Sequence, residues 1–275
     1  GWTSQFTLSH NVQRVEDIGQ EEYVSVLDSP GNTPFMMYGY KKGYPLNSLW
    51  GFQYGGVWHN TEEVERNSYT HSYVSNTTAN SASSLLGWPR YRDQNKDGIL
   101  SEEDLVYIGN SDPIVFGGWQ NNFHYKNLKL SVFLTYSIGG MIYNYSEFPM
   151  SGGYMTNQYR YMLNAWHPLR NPDSDYPRAG TDDRTLPSDF LAHDASYLRL
   201  KEVSLSYRLP LNTRHKKGFR DITFSLSGHN LLLLTEYNGF DPDVSTNSED
   251  ATLRRVDIAS YPRARQVIFS VQLRY

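Results

Sequence analysis

The chain holds 275 residues, with 25 Lys and Arg against 29 Asp and Glu, a formal net charge of −4, and no cysteine. That balance leaves no electrostatic footprint for nucleic acid, and no Lys/Arg cluster is longer than RHKK. The missing cysteines exclude a disulfide framework and a thiolate site, and no apolar run is long enough for a transmembrane helix. Aromatic residues make up 15% of the chain, while Gly, Ser, Asn and Asp punctuate its whole length. Such a composition suits an all-β protein, and a membrane β-barrel reads the same way because only half of each strand faces lipid. The opening GWTSQFTLSH carries neither an initiator Met nor a signal peptide, so the chain is expected to be processed, trimmed or incomplete.

The first strand is expected over Trp2–His10, running on toward Ile18, followed by strands at Pro34–Tyr40 and Leu49–Trp58. Between Asn60 and Pro113 lies a long loop that carries the most specific motif, DQNKDGILSEED. Asp93, Asn95 and Asp97 recur at every second residue, Gly98 permits a sharp turn, Ile99 offers its carbonyl, Ser101 follows and Asp104 closes the span. This is the spacing of an EF-hand-type calcium loop, with Asp104 where a true EF-hand has a bidentate Glu and without evident flanking helices. A structural Ca2+ is the expected cofactor. The alternative is an Asx-rich turn whose carboxylates cap local amides.

Two strands follow, IVFGGWQNNFHY and NLKLSVFLTYSIGG, joined by little more than YKN. A second long loop spans Phe148–Ala195 and contains GYMTNQYRYMLNAWHP. Tyr159, Met162, Leu163 and Trp166 sit there at helical spacing, and Tyr154, Tyr159, Tyr161 and Trp166 could stack on sugar rings or peptide side chains, or simply hold the loop to the rim. SYLRLKEVSLSYRLP then alternates with a slip of phase: Leu198 and Leu200 share one parity, Val203, Leu205, Tyr207 and Leu209 the other. A β-bulge near Lys201–Glu202 would restore a single apolar face. RDITFSLSGHNL alternates in turn, a third long loop covers Leu233–Ala264, and VIFSVQLRY ends the chain with apolar residues on every second position.

About eight strands result, and their connections are lopsided in a regular way. Counted back from the terminus, every long loop falls on one side and every short turn on the other, as in outer-membrane barrels. A soluble antiparallel β-sandwich, a surface-binding protein with a calcium-stiffened loop, is the competing architecture. In a closed barrel no edge is left, so Tyr275 would be held at the periplasmic aromatic girdle. Nothing points to an enzyme. The histidines are scattered, His193–Asp194 beside Ser196 lacks the separation of a triad, and YGYKKGYP lacks the Lys-Ser/Thr of a phosphate-binding loop.

The run from DQNKDGILSEED through YKN to GGMIYN, the stretch GYPLNSLWGFQYGGVWHNTEE, and the endings DASYLRLKEVSLSYRLP, LSGHNLLLLTEYNGFDPDV and YPRARQVIFSVQLRY resemble, in order, the C-terminal part of SusC/RagA-like TonB-dependent transporters of the Bacteroidetes. The resemblance implies a 22-stranded transmembrane antiparallel β-barrel of the bacterial outer membrane, with residues 1–275 as its C-terminal part. It also implies a plug domain and TonB box outside this chain, energy supplied through the TonB complex, and a SusD-like surface lipoprotein as lid. The implied cargo is oligosaccharide, or oligopeptide in other members. The remaining partners are outer-membrane lipid and the rest of the same barrel.

Overall fold

The computed structural model describes residues 1–28, 36–67, 70–71, 82–147, 157–180, 186–211, 220–244, 255–258 and 260–275. In chain order the strands are β1 (Trp2–Ser9), β2 (Tyr23–Asp28), β3 (Met36–Lys41), β4 (Ser48–Gly51), β5 (Tyr54–Val57), β6 (Thr70–His71), β7 (Pro89–Tyr91), β8 (Ile99–Leu100) and β9 (Val106–Asn110). The second half contributes β10 (Val115–Tyr125), β11 (Leu128–Ile138), β12 (Met141–Asn144), β13 (Ala192–Asp194), β14 (Tyr197–Pro210), β15 (Asp221–Thr235), β16 (Val256–Asp257) and β17 (Gln266–Arg274). One short helix, α1 (Thr61–Asn67), follows β5.

Six long strands form one antiparallel sheet in the order β1-β10-β11-β14-β15-β17. Directly opposed residues share a face, so the register assigns every side chain. One face carries Phe6, Trp119, Leu134 and Leu200 in one row, and Leu130, Leu205, Leu226 and Phe269 in another. Many of these residues are solvent-exposed, Phe269 at 66% and Leu226 at 49%. A sandwich would bury such a face against a second sheet; among the described residues no other sheet covers it. The opposite face is polar: Asn122, Ser131, Ser204 and Ser227 lie in one row, and Lys129, Ser206, Ser225 and Ser270 in the next. An apolar outward face with a polar inner one is the pattern of a transmembrane barrel wall.

The phase slip resolves as expected. Leu200 and Glu202 face consecutive partners on β11, and Lys201 between them is unpaired in the ladder. On β15 the slip is met by Asn230 and Leu231, with Asn230 in the left-handed region at φ 52°. The bulge returns Leu198 and Leu200 to the apolar face beside Tyr136 and Leu134.

Two polar side chains stand on the apolar face, Ser4 and Asn121, directly opposite one another. The oxygen of each accepts from a tryptophan: Trp119 Nε1 donates to Ser4 Oγ at 2.8 Å, and Trp2 Nε1 to Asn121 Oδ1 at 3.2 Å. In hydrocarbon an unpaired amide or hydroxyl would cost several kcal/mol, so these bonds make the pair tolerable there. At the short-turn end of this face sit Trp2, Phe123, Tyr125 and Tyr207, an aromatic rim that Tyr275 extends.

Six of the eight expected segments lie in this wall. The other two, at 34–40 and 49–58, belong elsewhere: β3 and β4 join β2 and β9 in a four-stranded sheet, and β5 pairs with β7. All four residues of β4 are buried, so the segment has no lipid-facing side. The short connection 42–47 therefore joins two strands of the loop region, and β1 ends at Ser9 instead of continuing toward Ile18. The segregation of loops survives this change. The connections 10–114, 139–196 and 236–265 all leave one edge, while Lys126–Asn127 and residues 211–220 close the other. The start of the second expected strand, Pro34 and Phe35, and the middle of the 211–220 turn lie outside the described residues.

The long connections form the buried core of the protein. Leu49 from the first, Tyr143 and Leu191 from the second and Val256 from the third make one cluster, and Phe52, Tyr91, Leu100 and Leu186 a second. Hydrophobic burial thus operates at the loop end, while the wall leaves its apolar residues for lipid.

Gly117 gives a direct test of the wall. A Cβ there would lie 2.0 Å from the Thr7 carbonyl oxygen and 2.8 Å from the Tyr136 hydroxyl, which itself donates to that carbonyl. Gly117→Val is expected to unzip β1 from β10. Heat-modifiable electrophoretic mobility of the refolded protein should be lost in the variant and retained in a Gly1→Val control.

Candidate functional site

The functional surface is the polar inner face together with the loop domain that folds over its upper end. Arg199, on the inner face of β14, is 3% exposed because residues 236–244 descend onto it: its Nη2 donates to Asp241 Oδ1 at 2.5 Å. Arg263 adds a bond to Asp243 at 2.8 Å, and Asp241 also accepts the Asp243 amide. Arg255, held below its ordinary range by burial, spans the junction by donating to the Gly139 carbonyl and Ser137 Oγ. A buried guanidinium without its carboxylate would be strongly unfavourable, so these pairs fix the loop against the wall.

A second polar cluster links β12, β13 and β16. Asn144 Nδ2 donates to Glu147 Oε1 at 2.9 Å, His193 Nε2 lies 3.2 Å from the same oxygen, and Tyr237 donates to Asp257 at 2.7 Å. Burial, followed by the bond to Asp257, pushes the Tyr237 phenol well above its ordinary range. The segment His193–Ser196 holds no triad. Ser196 Oγ accepts the Gly139 amide, Asp194 accepts the Ser196 amide, and His193 Nε2 points to within 3.2 Å of Glu147 Oε1.

In the DQNKDGILSEED loop the carboxylates serve as caps. Asp93 accepts from the Lys96 and Gly98 amides, Asp97 from Ile99, and Asn95 from Asp97. Asp104 is fully buried, with its two oxygens taken by the Gln94 and Ser101 amides at 2.7 and 2.8 Å. Gly98 and Lys96 adopt positive φ, 81° and 63°, which lets successive amides converge on the carboxylates. Among the described residues no three His, Cys, Asp or Glu side chains are grouped to hold a metal. In this arrangement Asp104 and Ser101 act as a capping box for residues 102–104, and Glu102 and Glu103 turn instead to Tyr23 and Asn95. The donor set for an ion is therefore not assembled in this form of the loop.

The aromatic residues of the loop domain form a continuous series that sequence spacing alone did not reveal. Tyr159 stacks on Tyr161 at 5.5 Å, and Tyr161, Tyr176, Phe190, Tyr54, Tyr91 and Phe52 follow at separations between 4.6 and 6.2 Å. Burial and the neighbouring Tyr91 push the Tyr54 phenol far up, and burial does the same to Tyr161, so both remain neutral hydroxyls. Tyr159–Trp166 is not one apolar face. A 3-10 turn covers Arg160–Asn164, Trp166 is buried and Leu163 is 76% exposed. Tyr154 lies outside the described residues.

No protein-family model matches the chain. It is 27% identical over its full length to the TonB-dependent receptor P3 of Formosa agariphila and 28% identical to the TonB-dependent receptor P26 of the same organism, spanning 27% of each relative. It also aligns with the TonB-dependent receptor SusC of Bacteroides thetaiotaomicron, at 23% identity over 66% of the chain and 17% of SusC. Among solved structures, the RagAB peptide transporter superposes on 99% of the chain and 27% of its own length, with a TM-score of 0.72 and 22% identity. The RagAB peptide importer in its open-open state gives 0.67 over the whole chain and 27% of its own. The chain thus spans about a quarter of the length of the proteins it matches. Its wall and loop end agree with these relatives: over its whole length the chain is similar to part of TonB-dependent receptors, and its fold is that of a stretch of an outer-membrane transporter barrel with its loop end.

Proposed function

We propose that residues 1–275 form the C-terminal part of the barrel of an active importer that carries oligomeric nutrients, oligosaccharides foremost, across the outer membrane. A plug domain and TonB box elsewhere in the parent protein would couple it to the TonB complex. A SusD-like lipoprotein would close over the loop domain. The observation carrying this reading is the division of the wall into an apolar outer face and a hydroxyl-rich inner face, capped by loops tied down through Arg199 and Asp241. This surface offers many neutral donors and acceptors and few unpaired charges, which suits polyhydroxylated cargo. Import of oligopeptides is the second reading, favoured by the structural likeness to a peptide transporter.

Uptake distinguishes the two. Cells expressing the full-length transporter with its lid protein should accumulate fluorescent neutral oligosaccharides, and deletion of the transporter should abolish this. Accumulation of labelled oligopeptides alone would replace the first reading with the second.

A structural Ca2+ at Asp93, Asn95, Asp97, Ile99, Ser101 and Asp104 is proposed as a ligand that remodels the capped loop, drawing Asp93 and Asp97 from their amides. Calorimetric titration of the full-length protein with calcium chloride should release or absorb heat that the Asp93→Ala/Asp97→Ala variant lacks. Identical traces for the two proteins would leave these carboxylates as amide caps only.

A further inference from the structure

Two histidines meet the loop 167–176, and their bonds call for different charge states. The loop is folded largely on itself. Asn171 exchanges backbone bonds with His167, its side chain donates to the Leu163 and Ala165 carbonyls, and Ser174 Oγ donates to the Asn164 carbonyl. The Leu169 amide donates to His167 Nδ1 at 3.2 Å, a role that a neutral ring fills. His59, between β5 and α1, is placed otherwise. Its Nδ1 lies 3.1 Å from the Pro172 carbonyl oxygen and its Nε2 3.2 Å from Asp175 Oδ1. A carbonyl and an ionised carboxylate only accept, so both ring nitrogens must donate for both bonds to exist. A neutral imidazole carries one N–H and the imidazolium two.

The approach is built into the backbone. Gly56 has a φ of 88°, and a Cβ there would collide with the Asp175 carboxylate. A second tether runs beside the first, because the Tyr54 hydroxyl donates to the Asp175 carbonyl at 2.6 Å. Burial pushes the Tyr54 phenol far up, so this second tether stays in place while a histidine titrates. Asp175 faces the ring of His59. From α1 and β7, Glu63 Oε2 accepts the His59 backbone amide at 3.2 Å, and Arg90 lies 4.0 Å from that same oxygen. Arg90 thus offsets the Glu63 charge, and Asp175 is the carboxylate that answers the imidazolium.

We propose that His59 is a pH-operated latch: as the imidazolium it holds residues 172–175 against the end of β5, and on losing its proton it gives up one of its two bonds. Histidine changes charge between about pH 5 and pH 8. Only the protonated ring has both donors, so the latch is closed on the acidic side and loosens as pH rises. The loop leads into Tyr176, whose ring packs against Tyr161 and Phe190 at 5.5 and 6.0 Å. Loosening the latch therefore frees one link of the aromatic series while the Tyr54 tether keeps the loop from detaching.

The test uses the full-length transporter, any other cysteine replaced by serine, with a nitroxide spin label on Leu169→Cys, a position that is 88% exposed. The Asp175 side chain is 72% exposed, and water weakens such pairs. The ratio of mobile to immobile label should therefore rise about threefold from about pH 5.5 to about pH 8. In His59→Gln a neutral amide replaces the ring, and the ratio should be the same at both pH values. Asp175→Asn should also abolish the rise, because a carboxamide can accept from the imidazolium or donate to the neutral ring and so holds both forms. His167→Gln should keep the rise. A ratio that does not change with pH in the protein carrying native His59 would overturn the latch. So would a rise that survives both His59→Gln and Asp175→Asn, or one that His167→Gln alone removes.

Discussion

Side chains alternate across a strand, so one unpaired residue exchanges the two faces of everything beyond it. The whole wall depends on that constraint being met at Lys201. Without the bulge, Leu198 and Leu200 would turn inward and Arg199 outward, placing a guanidinium in lipid and losing its bond to Asp241. With the bulge, the apolar face stays continuous from Trp2 to Leu273 and the polar face stays continuous beneath the loops. The same requirement explains Ser4 and Asn121. Their oxygens on the lipid side are offset by two indole N–H groups that donate to them.

The two ends of the chain's structure obey different physics. In the wall, stability comes from backbone ladders, which pair β10, β11, β14 and β15 on both sides. In the loop domain it comes from ordinary burial, with three distant connections supplying residues to shared clusters. Buried or half-buried guanidinium groups stand where these regimes meet, Arg199 paired with Asp241 and Arg255 bonded to the Gly139 carbonyl and Ser137 Oγ. Arg199 of the wall takes its partner from the loops, and Arg255 of the loops takes Ser137 of the wall. The arrangement couples the position of Asp241 and Arg255 to the inner face.

Much of the wall was legible because period-two alternation records lipid on one side and water on the other. Even the bulge could be placed from the parity of Leu200 and Val203. The segments at 34–40 and 49–58 were read as wall because short apolar runs look alike whether they face lipid or a protein core. Leu49, Trp50 and Phe52 are buried by contacts with residues far along the chain, which local pattern does not encode. The aromatic series was invisible for the same reason: Tyr54 meets Phe190 only through the tertiary fold. Spacing marked DQNKDGILSEED as special. It did not indicate that Asp104 would be spent on the Gln94 and Ser101 amides.

The central claim is that one edge of the sheet faces the cell exterior and the other the periplasm. Single cysteines can report it in the full-length transporter, since this chain contributes none and any elsewhere can be replaced by serine. Leu169, 88% exposed in the loop domain, and Asn127, in the short turn between β10 and β11, are the two positions to compare. With a maleimide too large for porins, Leu169→Cys should label on intact cells and Asn127→Cys only after the outer membrane is opened. Labelling of Asn127→Cys on intact cells, with Leu169→Cys protected, would contradict the account.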